Sequence, residues 1–191
     1  MFDVARVDPD TVDVSGLVIE EVAVWRVRAA RGGVRVVASV DQSVTCVADS
    51  RRLRRALREL LDNALTFAPD RSTVVVAAVV AGTGIRIEVS DQGDGIDMTD
   101  GARLALPFER GTHPRQPAAG RGMGLALASV VAASHGGRLV LMPNPGGGLR
   151  AGLEIPVDCT SLAVATAAAL SGAGRQPGRG RPEAPWRVRQ V

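Results

Sequence analysis

The apolar positions of this chain follow two rhythms, and the switches between them outline its elements. From 49 to 67, Leu53, Leu57, Leu60, Leu61, Ala64 and Leu65 recur three to four residues apart, which predicts a helix with one apolar stripe. Asp49 or Ser50 can cap it, and Pro69 lies just beyond its end. Residues 15–30 (SGLVIEEVAVWRVRAA) also set Val18, Val22 and Trp25 at helical spacing, although Val22, Val24 and Val27 alternate as in a strand. Alternation is strict in 84–90 (GIRIEVS), with Ile85, Ile87 and Val89 facing one way and Arg86 and Glu88 the other. With TVVVAAVV (73–80) before it and AGTG between, it predicts a hairpin. GVRVVASV and SVTCVA, over 33–48, read as two more short strands, and RLVLM (138–142) and LRAGLEI (149–155) as a last pair turned by PNPGGG. GMGLALASVVAASHGG (122–137) predicts a buried helix started by glycines and stopped at Gly136–Gly137. Residues 98–110 hold a short helical turn, and 111–120 have no periodicity. This order predicts an α/β two-layer sandwich: a mixed, mostly antiparallel sheet with helices packed on one face.

Past about residue 160 the pattern stops and Ala, Gly, Pro and Arg dominate. Such a composition buries too little apolar surface to offset its ordering entropy, so a disordered tail is expected. The expected organisation is an N-terminal segment 1–14, one domain 15–158 and a tail 159–191. The tail also skews the charge. The net charge is +3, but residues 160–191 carry five Arg against one Glu. The rest is close to neutral, so the basic pI gives little reason to expect a nucleic-acid partner. Cys46 and Cys159 have no metal or redox spacing and fit a reducing compartment. MFDVARVDPD, acidic and without an apolar run, is not expected to act as a signal peptide, and no stretch reaches the ~18 apolar residues of a membrane span. A cytoplasmic location without membrane contact is expected.

Three clusters carry candidate chemistry. Glu59 and Asn63 stand at i and i+4, on one flank of the leucine stripe. A solvated polar face would look the same, but Asn is a poor mid-helix residue, and its amide oxygen suits a hard cation such as Mg²⁺. DQGDGID (91–97) puts a carboxylate and bare backbone where a strand stops. An ordinary turn gives such strings too. Alternatively Asp91, acceptor only when ionised, could take the 6-amino group of adenine, with Gly93 and Gly95 letting the backbone pass close to the ring. Gly120, Gly122 and Gly124 lead straight into a helix, where free N–H groups and the helix dipole favour an anion, and Arg121 adds charge. A flexible loop with a cap would read alike. A dinucleotide-binding fingerprint is excluded, because a loop and a short helical turn, not a first strand, precede these glycines.

Taken in order, RRLRRALRELLDNALTFAP, DQGDGID, LPFERG and GRGMGLALASVVAASHGG resemble the N, G1, F and G2 boxes of the ATP-binding domain of sensor histidine kinases. That domain has the Bergerat fold of the GHKL ATPase superfamily, shared with gyrase, MutL and the heat-shock chaperone ATPases. The resemblance covers roughly residues 15–157. It implies ATP and Mg²⁺ as cofactors, with Asn63 holding the metal and Glu59 coordinating metal or polarising the attacking group. It further implies Asp91 on the adenine amino group with Gly93 and Gly95 shaping that pocket, and Phe108 as the F-box aromatic. Residues 109–121 would form a lid, and Gly120, Arg121, Gly122 and Gly124 would hold the phosphates. The implied function is phosphoryl transfer from ATP to a His on a separate dimerisation domain or phosphotransfer protein, and through it to a response regulator in two-component signalling. Two alternatives are a non-catalytic, ATP-dependent binding module and an anti-sigma-type serine kinase. Three positions depart from the family pattern: Thr66 replaces a basic residue, Leu104 an aromatic and Leu149 a Thr. The two histidines, His113 and His135, are not expected to accept phosphate, the first lying in the lid and the second in a structural position before Gly136–Gly137.

Overall fold

The computed structural model describes residues 9–40, 44–97 and 123–156. The short turn of 98–110, Phe108, His113, the lid, Gly120, Arg121, Gly122 and the 159–191 tail lie outside the described residues.

The chain enters through β1 (Asp10–Asp13), whose last residue caps α1 (Val14–Arg31) by accepting the Gly16 N–H on Asp13 Oδ1 at 2.9 Å. The helical reading of this stretch holds. Val18, Val22 and Trp25 are buried, whereas Val24 and Val27, which had allowed a strand, face outward. β2 (Arg35–Val40) and β3 (Thr45–Ala48) then part company. β3 pairs antiparallel with β1 in a two-stranded ribbon, while β2 joins the main sheet. The pattern of hydrophobic positions left β1 unassigned because only Val12 among its four residues turns inward. α2 (Ser50–Phe67) follows, capped by Asp49, whose Oδ1 accepts the N–H groups of Arg51 and Arg52 at 3.0 and 3.1 Å. Then come β4 (Thr73–Ala81), β5 (Gly84–Ser90), α3 (Gly124–Ser134), β6 (Arg138–Pro143) and β7 (Leu149–Pro156).

The five-stranded sheet runs β2-β4-β5-β7-β6, with β2–β4 parallel and every other pair antiparallel. Its inner face stacks Val76, Val89, Ala151 and Leu141 in one row and Ala78, Ile87, Leu153 and Leu139 in the next. Against them pack Leu53, Leu57, Leu60 and Leu61 of α2, Val18 and Val22 of α1, and Leu127 and Val131 of α3. This is the expected sandwich. On the outer face Arg86 bridges to Glu154, which also holds Arg138. Glu88 faces the same way, yet is only 5% exposed, because Arg86 and Arg150 reach over it and Ser90 Oγ donates to it at 3.2 Å.

Two polar contacts tie the helices to one another. Glu21 of α1 is fully buried and takes Arg54 Nη1 at 2.9 Å and Arg58 Nε at 2.8 Å from α2. Burial alone would raise its pKa, but the hydrogen bonds from Arg58 and Arg54 outweigh it and hold the carboxyl below its ordinary value. At the N-terminus of α2, the Asp49 N–H donates to His135 Nε2 at 3.0 Å, while His135 Nδ1 lies 2.8 Å from the Val131 carbonyl. Both ring nitrogens are thus engaged, the Nδ1 hydrogen on the carbonyl and the Nε2 lone pair on the amide. Asp49 itself caps α2, so Asp49→Ala should cost about 1 kcal/mol. The urea midpoint measures this; an unchanged midpoint would show that the cap is replaced by water.

Candidate nucleotide site

α2 sets the frame of the site. Its buried stripe fixes the helix against the sheet, and Glu59 and Asn63 emerge half-buried on its flank. Neither the Glu59 carboxylate nor the Asn63 amide is held by another described residue, so both polar ends are available. Gly124, the first residue of α3, lies against Glu59: a Cβ there would sit 3.4 Å from Glu59 Oε2. Met123, at the N-cap of α3, supplies no side-chain hydrogen bond, so the first amides of that helix are left without a side-chain cap. Thr66, where a basic residue was expected, turns its hydroxyl back to the Asp62 carbonyl at 2.7 Å and offers no charge to the flank.

The other end of the site is built around Asp91, which is 4% exposed. Its Oδ1 accepts the N–H groups of Gly93 at 2.8 Å and Leu149 at 3.1 Å. Its own N–H donates to the Leu149 carbonyl at 3.0 Å, and its carbonyl accepts from Asn144 Nδ2 at 2.7 Å. Both backbone donors converge on one carboxylate oxygen, which leaves Oδ2 for any further donor. Desolvation raises the Asp91 pKa above its ordinary value, and the amides of Gly93 and Leu149 only partly offset it.

The glycines of this loop fit because backbone passes close by. A Cβ on Gly93 would lie 2.6 Å from the Phe67 carbonyl, so the loop crosses the last turn of α2. Gly95, at φ +73°, rests on Gly148. Gln92 Oε1 accepts the Thr73 N–H at 2.8 Å and pins the loop to the start of β4.

Asp91, Gly93 and Gly95 therefore converge at one end of α2, and Glu59, Asn63 and Gly124 lie along its flank. Sequence reasoning missed Asn144, Gly148 and Leu149 as parts of the Asp91 cradle. PNPGGG looked like an ordinary turn; its one signal was the run of glycine beside a lone Asn. A shallow cleft at the opposite end of β5 is lined by Gly84, Gly137 and the charged groups of Arg86, Arg138 and Glu154. Those charges already pair with one another, so they leave little for a ligand. Among the described residues no three or more His, Cys, Asp or Glu side chains cluster to hold a metal. No helix among them is long and apolar enough to cross a membrane.

A sheet covered on one face by three helices, with an acidic strand end at one end of α2 and a glycine-opened helix against its flank, is the architecture of histidine kinase ATP-binding domains. Full-length ShkA, solved in complex with AMPPNP, superposes with a TM-score of 0.69 at 27% identity, over 80% of this chain and 32% of that one. The mycobacterial sensor histidine kinase MprB superposes with a TM-score of 0.66 at 25% identity, over 78% of this chain and all of the other. In sequence the chain is 33% identical over 150 residues to the sensor-like histidine kinase SenX3 of Mycolicibacterium smegmatis, covering 78% of this chain but 39% of that protein. A family model described as histidine kinase-, DNA gyrase B-, and HSP90-like ATPase matches residues 48–158. The chain belongs to that family.

Proposed function

We propose that this chain is the ATP-binding catalytic part of a protein-histidine kinase, with the adenine against Asp91 and the triphosphate running along α2 toward Gly124. The observation that carries this reading is the two-ended contact of α2. Gly93 lies over Phe67 and Gly124 against Glu59, eight residues or about 12 Å apart along the helix axis. Asn63 stands between them. Purine, ribose and phosphates laid along that span would meet an acceptor at one end and helix amides without a side-chain cap at the other.

Asp91 Oδ2 would accept the 6-amino hydrogen, which a 6-oxo purine lacks. The α3 N-terminus, through its amides and dipole, would hold the phosphates. Asn63 supplies one oxygen ligand without a carboxylate cluster, which fits a Mg²⁺ ion carried in by the phosphates and waters. Such an ion would neutralise charge on the phosphates. Glu59 would orient the attacking imidazole or take its proton. As the N–P bond forms, the bond from the γ-phosphorus to ADP breaks. The engaged nitrogens of His135 favour a phosphoacceptor His supplied by a dimerisation domain or phosphotransfer protein. A response regulator would then receive the phosphoryl group in the cytoplasm. We place the start of the working domain at Asp10, because β1 secures β3 and the entry to α1.

Incubating the chain with ATP, Mg²⁺ and a panel of His-bearing dimerisation hairpins should yield acid-labile phosphohistidine on one of them. ATP binding without phosphorylation of any hairpin would leave a nucleotide-binding module and refute the kinase.

A further inference from the structure

The β6–β7 turn is a part of the base-binding end that the four boxes do not include. Asn144 stands between Pro143 and Pro145. The following proline keeps Asn144 out of the helical region, and its own N–H bonds the Gly148 carbonyl at 3.0 Å, so the residue has little freedom. Its side-chain amide spends a donor on the Asp91 carbonyl at 2.7 Å, across 53 residues of sequence. Gly147 and Gly148 follow at φ +90° and +95°. A Cβ on Gly148 would lie 2.3 Å from the Asp91 carbonyl oxygen and 2.6 Å from Oδ1, so only glycine passes there. The Leu149 amide then reaches Asp91 Oδ1. Backbone, amide and carboxylate of Asp91 are thus all held by one turn.

We propose that Asn144 is a positioning residue for purine selection: by clamping the Asp91 backbone to the β6–β7 turn, it aims Oδ2 at the exocyclic 6-amino group. The proposal rests on Asp91 reading the base. Asn144 touches no nucleotide. It acts through the direction of a carboxylate whose Oδ1 is already committed to Gly93 and Leu149. Loosening the clamp lets the carboxylate swing, which weakens recognition of the amino group and leaves the phosphate end untouched.

The test is discrimination between ATP and inosine triphosphate, which share ribose and phosphates and differ at the purine 6-position. Affinities are measured by calorimetry on the full chain with Mg²⁺, for wild type, Asn144→Ala, Asn144→Asp and Asp91→Asn. Asn144→Asp keeps the shape and removes the donor. The ATP/ITP affinity ratio should fall about tenfold in both Asn144 variants, the scale of one hydrogen bond, with ITP affinity nearly unchanged. A variant that merely destabilises the domain would weaken both nucleotides alike and keep the ratio; that result overturns the proposal. So does an unchanged Asn144→Asp, which would show that packing and not the donor matters. If Asp91→Asn keeps the wild-type ratio, the reading of Asp91 fails and the clamp falls with it. If Asp91→Asn loses the ratio and the Asn144 variants keep it, only the clamp fails.

Discussion

In an Asp91→Asn variant, ATP should raise the melting temperature less than it does in wild type, and ITP should raise it more. The substitution keeps the Oδ1 position as an acceptor for the Gly93 and Leu149 amides. It replaces the second oxygen with an NH₂ donor, which repels a 6-amino group and suits a 6-oxo group. In the wild type, ATP at 100 times its dissociation constant should stabilise by about 2.7 kcal/mol. For a domain of this size that is a rise of roughly 5–10 °C. Asn63→Ala should lose the rise for both nucleotides, since it acts at the phosphates. Equal shifts with ATP in wild type and Asp91→Asn would remove Asp91 from base recognition.

The same variant makes a second, opposite forecast for the free protein. Burial raises the folded-state pKa of Asp91 above its unfolded value. Between those two values the folded state binds more protons than the unfolded one, so stability falls as pH rises through that window. At neutral pH the ionised carboxylate therefore costs stability, and free Asp91→Asn should melt no lower than wild type. ATP affinity should move the other way with pH. It should drop on acidification through the raised Asp91 pKa, because the carboxylate is the form that accepts the amino hydrogen. A calorimetric pH series on wild type, flat in Asp91→Asn, checks this.

Removing both arginines from the α1–α2 clamp, Arg54→Ala with Arg58→Ala, should destabilise by about 3 kcal/mol. Glu21 is fully buried, so it would be left as a charge without a partner. The cost sits at the low end of the usual range because Arg58 is half-exposed and water already screens part of the pair. Glu21→Leu should cost far less, since it removes the buried charge along with its partners' role. The clamp has its own pH signature. Its contribution is present above the unfolded Glu pKa and is lost as pH falls through the depressed folded value. Urea midpoints across pH 3–7 should show this slope in wild type and its absence in Glu21→Leu. A double Arg variant as stable as wild type would show that Glu21 finds another partner or protonates without penalty.

The elements that one short window of sequence specifies were legible. The leucine stripe of α2, the alternation of β5, and the acidic strand end followed by glycine all announce themselves within twenty residues. What was not legible depends on partners far away in the chain. β1 turns a single residue inward, and its existence follows from pairing with β3. Glu21 looked like any helix glutamate until α2 brought Arg54 and Arg58 against it. Asn144 and Gly148 matter because Asp91 lies beside them, and a sequence window holding the turn does not hold Asp91. Among the site residues, the convergence of Asp91, Gly93 and Gly95 followed from adjacency. That Gly124 meets Glu59, and not another turn of α2, required the packing of α3.

Because Phe67 and Glu59 belong to one uninterrupted helix, both ends of the cradle are measured against a rod of fixed pitch. Exchanging an outward side chain between them leaves that gauge intact. Adding or deleting one residue does not: the far end would slide about 1.5 Å and turn by roughly 100°. The loop carrying Gly93 would then meet a different side of the rod from the one that carries Gly124.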